Sequence, residues 1–207
     1  MMIDLYIVRH GQTTWNVQKR MQGRLDSALT KKGVEDAKRL RDYLATTPFD
    51  EVISSPSGRA YTTAKLIRPN ETNMKTDPRL MEIHLGKWQG KTDDEIYHEF
   101  PSEYDHYWNA PERYYNDGGE TFTDVMTRVE DFLQEIERMH GGGRVLMVTH
   151  GVTIMAFLSI VKKHSLNNFW SAPISEGTSL TLIRLDKGER KLLVEASVEH
   201  LSLVSVY

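Results

Sequence analysis

Arg9, His10, Arg59, Glu82 and His150 are side chains of the types that move a phosphoryl group when they converge. Arginine presents a planar, permanently charged fork that matches phosphate oxygens, and two such forks make a natural phosphate site. A neutral imidazole at His10 can attack phosphorus through one ring nitrogen, provided the other donates its proton to a carbonyl and fixes the tautomer. His150, protonated beside the anion, would hold an equatorial oxygen and stabilise charge as the group transfers. Glu82 fits the remaining role: it gives a proton to the leaving alkoxide, then takes one from the water that hydrolyses the phosphohistidine. Nitrogen attacks and arginine and histidine meet the charge, so this chemistry calls for no metal ion and no cofactor. Singly, each residue has a plainer reading: a hydrogen-bonded histidine at a strand end, a surface helix arginine, a solvated loop carboxylate. Their combined placement decides for the site.

Convergence needs elements that deliver these groups to one place. An apolar run rich in β-branched residues begins at Ile3 and stops at Arg9, His10 and Gly11, and a second, over 144–149, ends in His150 and Gly151. Each predicts a buried strand with a histidine at its carboxyl end, which is where open α/β sheets bind ligands. Gly11 is read as permitting a sharp backbone turn.

Between the two runs, residues 13–19 predict a short helix or turn carrying Asn16, and 22–26 a loop. A helix capped by Thr30 and carrying Val34, Ala37, Leu40 and Leu44 runs until Pro48 intervenes. A short strand at 51–54 leads into a helix through Ile67 with Arg59 in its first turn. Residues 80–90 form a structured loop holding Glu82 and Trp88. Residues 93–120, rich in Tyr, Trp, Pro and acidic side chains without clean periodicity, read as a cap-like insertion that could partly cover the site. Its aromatic cluster, over 97–115, is either a binding face or the packing of that segment. Helical spacing of three and four returns over 122–136 and ends at Gly141, Gly142 and Gly143. An apolar helix at 152–161 and strands at 179–185 and 192–198 close the chain. This alternation predicts an α/β fold, with a mostly parallel sheet covered on both faces, as a single domain over 1–207.

Composition narrows the substrate. With 39% hydrophobic and 27% charged residues the chain is of ordinary globular type, and 26 basic against 29 acidic residues give a net charge of −3. That balance offers no general attraction to nucleic acid or to an anionic membrane, so a small-molecule or protein substrate is expected. The absence of cysteine removes disulfides, thiolate nucleophiles and thiolate-bound zinc. No apolar run approaches the ~20 residues that span a bilayer, and the start lacks a signal-like segment, so a cytoplasmic location is expected. Histidines 84, 98, 106, 140, 164 and 200 show no repeated ligand spacing and read as surface or packing residues. Nothing here specifies an oligomeric state.

Several motifs in order resemble those of the histidine phosphatase, or phosphoglycerate mutase-like, superfamily. They are Arg9-His10-Gly11-Gln12-Thr13 with Trp15-Asn16, the stretch Gly23 to Thr30, Ser54-Ser55-Pro56, Arg59-Ala60, Glu82-Ile83, Gly86-Lys87-Trp88-Gln89-Gly90 and Thr149-His150-Gly151. The resemblance implies a three-layer α/β/α sandwich and a covalent phosphohistidine at His10. It also implies phosphoryl binding by Arg9, Arg59 and His150, pocket positions for Asn16, Gln22, Gly23 and Gly151, and a proton donor at Glu82. Mutases of the family follow that glutamate with Arg, His and Tyr, where this chain has Ile83, His84 and Leu85. The segment 93–137 holds 14 acidic residues against Arg113 and Arg128, so a second phosphate would find little to hold it. The expectation is a phosphatase of small phosphate monoesters, most like the bacterial broad-specificity enzymes. The alternatives are a cofactor-dependent mutase, an α-ribazole phosphate or fructose-2,6-bisphosphate phosphatase, and a noncatalytic phospholigand binder.

Overall fold

The computed structural model describes residues 2–139, 141–172 and 177–202. Its strands are β1 (Met2–Arg9), β2 (Glu51–Ser54), β3 (Lys75–Thr76), β4 (Gly143–Thr149), β5 (Leu180–Asp186) and β6 (Glu189–Ser197). The helices are α1 (Thr14–Val17), α2 (Lys31–Tyr43), α3 (Gly58–Ile67), α4 (Asp93–Glu99), α5 (Pro101–Asn109), α6 (Phe122–Met139), α7 (Gly151–Lys162) and α8 (Glu199–Ser202). One six-stranded sheet has the order β3-β2-β4-β1-β5-β6. Pairings from β3 through β1 are parallel, whereas β5 and β6 run antiparallel. The sheet is therefore mixed. β5 and β6 are joined by Lys187 and Gly188, both at positive φ, and so short a connection can only reverse the chain.

The central strands are buried on both faces, which explains their near-continuous apolar sequence. Ile3, Leu5 and Ile7 of β1 and Val145 and Met147 of β4 point into one core, with α6 and α7. Val8, Leu146 and Val148 point into the other, with Ala37 and Leu40 of α2 and Ala60, Ala64 and Ile67 of α3. Helices thus cover both faces, giving the expected three layers. Thr30 caps α2, its hydroxyl accepting from Gly33 N. Among the described residues no helix is long and apolar enough to cross a membrane.

Residues 93–120 are more regular than their pattern suggests. Thr92 and Glu95 form a reciprocal capping box that starts α4, and Pro101 occupies the first turn of α5. Apart from the exposed Tyr97 and Tyr115, their aromatic residues pack inward: Tyr107 lies 5.5 Å from Trp88, 5.0 Å from Tyr114, 5.1 Å from Phe122 and 5.2 Å from Trp170. The cluster is therefore mainly packing, and rings buried in several directions leave no single apolar stripe to read. Gly143 belongs to β4 and not to a helix stop, and His140 lies outside the described residues.

Candidate active site

The carboxyl ends of three adjacent strands build the site. Arg9 of β1 is in register with Thr149 of β4, and His10 N donates to Thr149 O at 2.9 Å. On the other side of β4, Ser55 N donates to Val148 O just beyond β2. His10 and His150 thus leave neighbouring strands, with ring centroids 5.2 Å apart. Arg59, in the first turn of α3, is 2% exposed. Arg9 lies against Gly151, where an added Cβ would sit 3.7 Å from its Nε.

His10 Nδ1 meets Gly11 O at 2.8 Å, while Nε2 accepts from Arg59 Nε at 3.3 Å. Only one tautomer satisfies both contacts: the proton resides on Nδ1 and the lone pair on Nε2. Burial, then the charges of Arg59 and Arg9, hold this histidine well below its ordinary pKa, so the ring is neutral. Gly11 serves a different purpose from the expected turn. Its φ is not positive, but a Cβ there would come 2.7 Å from Gly33 O, so glycine is needed for close approach of α2.

His150 is fully buried, with Nε2 2.7 Å from Ser55 Oγ and Nδ1 without a partner among the described residues. Burial, Arg59, His10, Arg128 and Arg9, in that order, push its pKa well down. The imidazolium of the sequence reading therefore requires the anion itself. The buried Nδ1 of His150, in a ring 5.2 Å from that of His10, can be satisfied by an anionic oxygen.

Residues 23–26 wrap around Arg59. Its NH1 donates to Leu25 O at 2.7 Å and Asp26 Oδ1 at 2.9 Å, and NH2 donates to Gly23 O at 2.8 Å. With Nε on His10, one hydrogen of NH2 remains for a ligand. Gly23 adopts φ +52°, a conformation that turns its carbonyl at little cost only for glycine. Nearby, Ser27 donates to Gln22 Oε1, Gln22 Nε2 to Thr13 Oγ1, and Thr13 Oγ1 to Asn16 Oδ1, each at 3.0 Å. This chain fixes both amides.

The Glu82 side chain reaches from its loop to the start of α7. Its carboxylate accepts from Val152 N at 3.2 Å, Thr153 N at 3.3 Å and Ile83 N at 3.1 Å. The first turn of α7 thus holds the carboxylate beside His150, the helix cap residue. Every residue that sequence reasoning assigned to the site falls within this one region. It passed over Ser55, Asp26, Thr13, Thr63 and Thr153. Ser55, Asp26 and Thr13 stood in recognised motifs, whereas the Thr63 hydroxyl, accepting from Gly11 N at 3.0 Å, left no local signal. Among the described residues no group of three or more His, Cys, Asp or Glu could hold a metal ion.

The profile of the histidine phosphatase superfamily (branch 1) matches residues 5–197, and the chain belongs to that superfamily. It is similar to YhfR of Bacillus stearothermophilus, with 43% identity and a TM-score of 0.91 over 96% of this chain and 99% of that one. It is also similar to phosphoserine phosphatase 1 of Hydrogenobacter thermophilus, 30% identical over 93% of this chain and 91% of the relative. A probable phosphoglycerate mutase, GpmB of Yersinia pestis, is 32% identical over 76% of this chain and 74% of its own length.

Proposed function

We propose that this protein hydrolyses small phosphate monoesters through a phosphohistidine on His10. One observation carries the reading: His10 is neutral, its Nδ1 proton rests on Gly11 O, and its Nε2 lone pair faces Arg59 in a ring 5.2 Å from that of His150. In the first half-reaction Nε2 attacks phosphorus, the ester P–O bond breaks, and the leaving alkoxide takes a proton from Glu82. Arg9, Arg59, His150 and the Asn16, Gln22, Gly23 and Gly151 surroundings hold the phosphoryl oxygens. In the second, the Glu82 carboxylate takes a proton from water, the oxygen attacks phosphorus, and the N–P bond breaks to release phosphate and neutral His10.

A chromogenic phosphate ester tests this directly. Hydrolysis by the wild type in the presence of a chelator, its loss in His10→Ala, and an acid-labile phosphoenzyme trapped on His10 are the expected results. Turnover by His10→Ala, or turnover abolished by chelation, would overturn it. The mutase reading draws on the GpmB relative. Against it, Arg128 is bonded to Glu120 and Arg79 O, and Arg113 is exposed beside Glu112, so neither supplies a ready second phosphate site. Restoration of activity by a bisphosphorylated glycerate, with transfer outrunning hydrolysis, would favour the mutase.

A further inference from the structure

We propose that Arg24 is a specificity-determining residue that binds a carboxylate on the leaving alcohol; this rests on the phosphatase reading above. Two guanidinium groups share one carboxylate at the rim of the site. Arg24 NH2 lies 3.0 Å from Glu120 Oε1, the same oxygen that accepts from Arg128 Nε at 3.0 Å. Glu120 is further held by Arg128 NH2 at 3.4 Å and by His84 N at 2.8 Å. Arg128 is nearly buried and also donates to Arg79 O at 2.5 Å, so it is the fixed partner, whereas the Arg24 side chain is 38% exposed. Glu120 keeps Arg128 and His84 if Arg24 leaves.

The backbone of Arg24 is pinned where a reader must stand. Its flanking carbonyls, Gly23 O and Leu25 O, are bonded to Arg59, and its own N–H donates to Gln89 Oε1 at 2.8 Å. Its partner Glu120 bonds the backbone of His84, two residues beyond Glu82. Arg24 therefore links the loop that wraps Arg59, through Glu120, to the segment that carries the proton donor on which a departing alcohol depends. A carboxylate on that alcohol replaces Glu120 on Arg24, one charge-assisted contact for another, and leaves no ion unpaired. A neutral alcohol offers no such exchange. One surplus guanidinium matches one monoanionic group, not a second phosphate dianion.

The test compares 3-phosphoglycerate with glycerol 3-phosphate, which have the same carbon skeleton with and without the carboxylate. The wild type should prefer the former in kcat/KM by less than the roughly tenfold of one unopposed charge-assisted hydrogen bond, because Glu120 competes for Arg24. Arg24→Gln should collapse that ratio toward one, mainly by raising KM for 3-phosphoglycerate. Glu120→Gln, which removes the competing carboxylate, should lower that KM. An unchanged ratio in Arg24→Gln, or equal losses on both esters, overturns the proposal and leaves the phosphatase reading standing. Absence of hydrolysis of both esters and of the chromogenic ester by the wild type overturns that reading and this proposal together.

Discussion

His10 and His150 are kept neutral by burial and by the arginines around them, and that has a cost with a definite sign. The unfolded chain takes up protons on these imidazoles near pH 6.5, while the folded chain resists until well below it. In that interval the unfolded state binds more protons, so stability is fully present above about pH 6.5 and declines as pH falls. His200, buried against Thr178 and lowered to about 4, adds to the loss in the same direction. Denaturant midpoints should therefore fall between pH 7.5 and pH 5. Protonation of His10 should cause no loss of kcat/KM at or above pH 6.5; an acid limb there would contradict a neutral His10 in the free enzyme. Arg9-His10-Gly11 and Thr149-His150-Gly151 were legible because strand ends interrupt apolar runs. The Ser55 contact to His150 was not, since a serine after a strand carries no pattern that names its partner.

At the level of elements, the segment holding Glu82 is tied down by two threonines. Thr149 Oγ1 donates to Leu80 O at 2.6 Å from β4, and Thr153 Oγ1 donates to Met81 O at 2.8 Å from α7. Thr153→Val keeps the shape but removes the donor, leaving a carbonyl unpaired, at roughly 1–3 kcal/mol. Denaturation should register that loss, and kcat should fall because Glu82 loses its register with α7, while KM for the phosphate ester changes less. Strands β1, β2 and β4 and helices α2, α3, α6 and α7 could be read from period and caps, for each buries a definite face. Helices α4 and α5 could not: α4 buries only Ile96, and the rings of α5 pack in several directions at once. Strand β3, two residues long, is too short to carry any period, and Glu82, a loop carboxylate with none, was nominated by the proton-transfer role left open and matched by the family resemblance.

For the molecule as a whole, the net charge of −3 conceals a site in which Arg9 and Arg59 face the two neutral imidazoles. An anion there binds only the folded state, and at a hundredfold excess over its Kd it adds about 2.7 kcal/mol to stability. For a chain of this size that raises Tm by roughly 5–10 °C. Inorganic phosphate or orthovanadate should produce the shift in a thermal melt, and His150→Asn should diminish it; an unshifted wild-type melt at saturating vanadate would argue against an anion pocket.

Strand order also governs when the protein can begin to work during its synthesis. β1 and β2 are made early yet do not touch, because β4, from the last third of the chain, fills the slot between them. A growing polypeptide that already carries His10 and Arg59 thus has a gap where its central ribbon belongs. The sheet, and the strand-end site built on it, is thus completed by one late insertion rather than piece by piece.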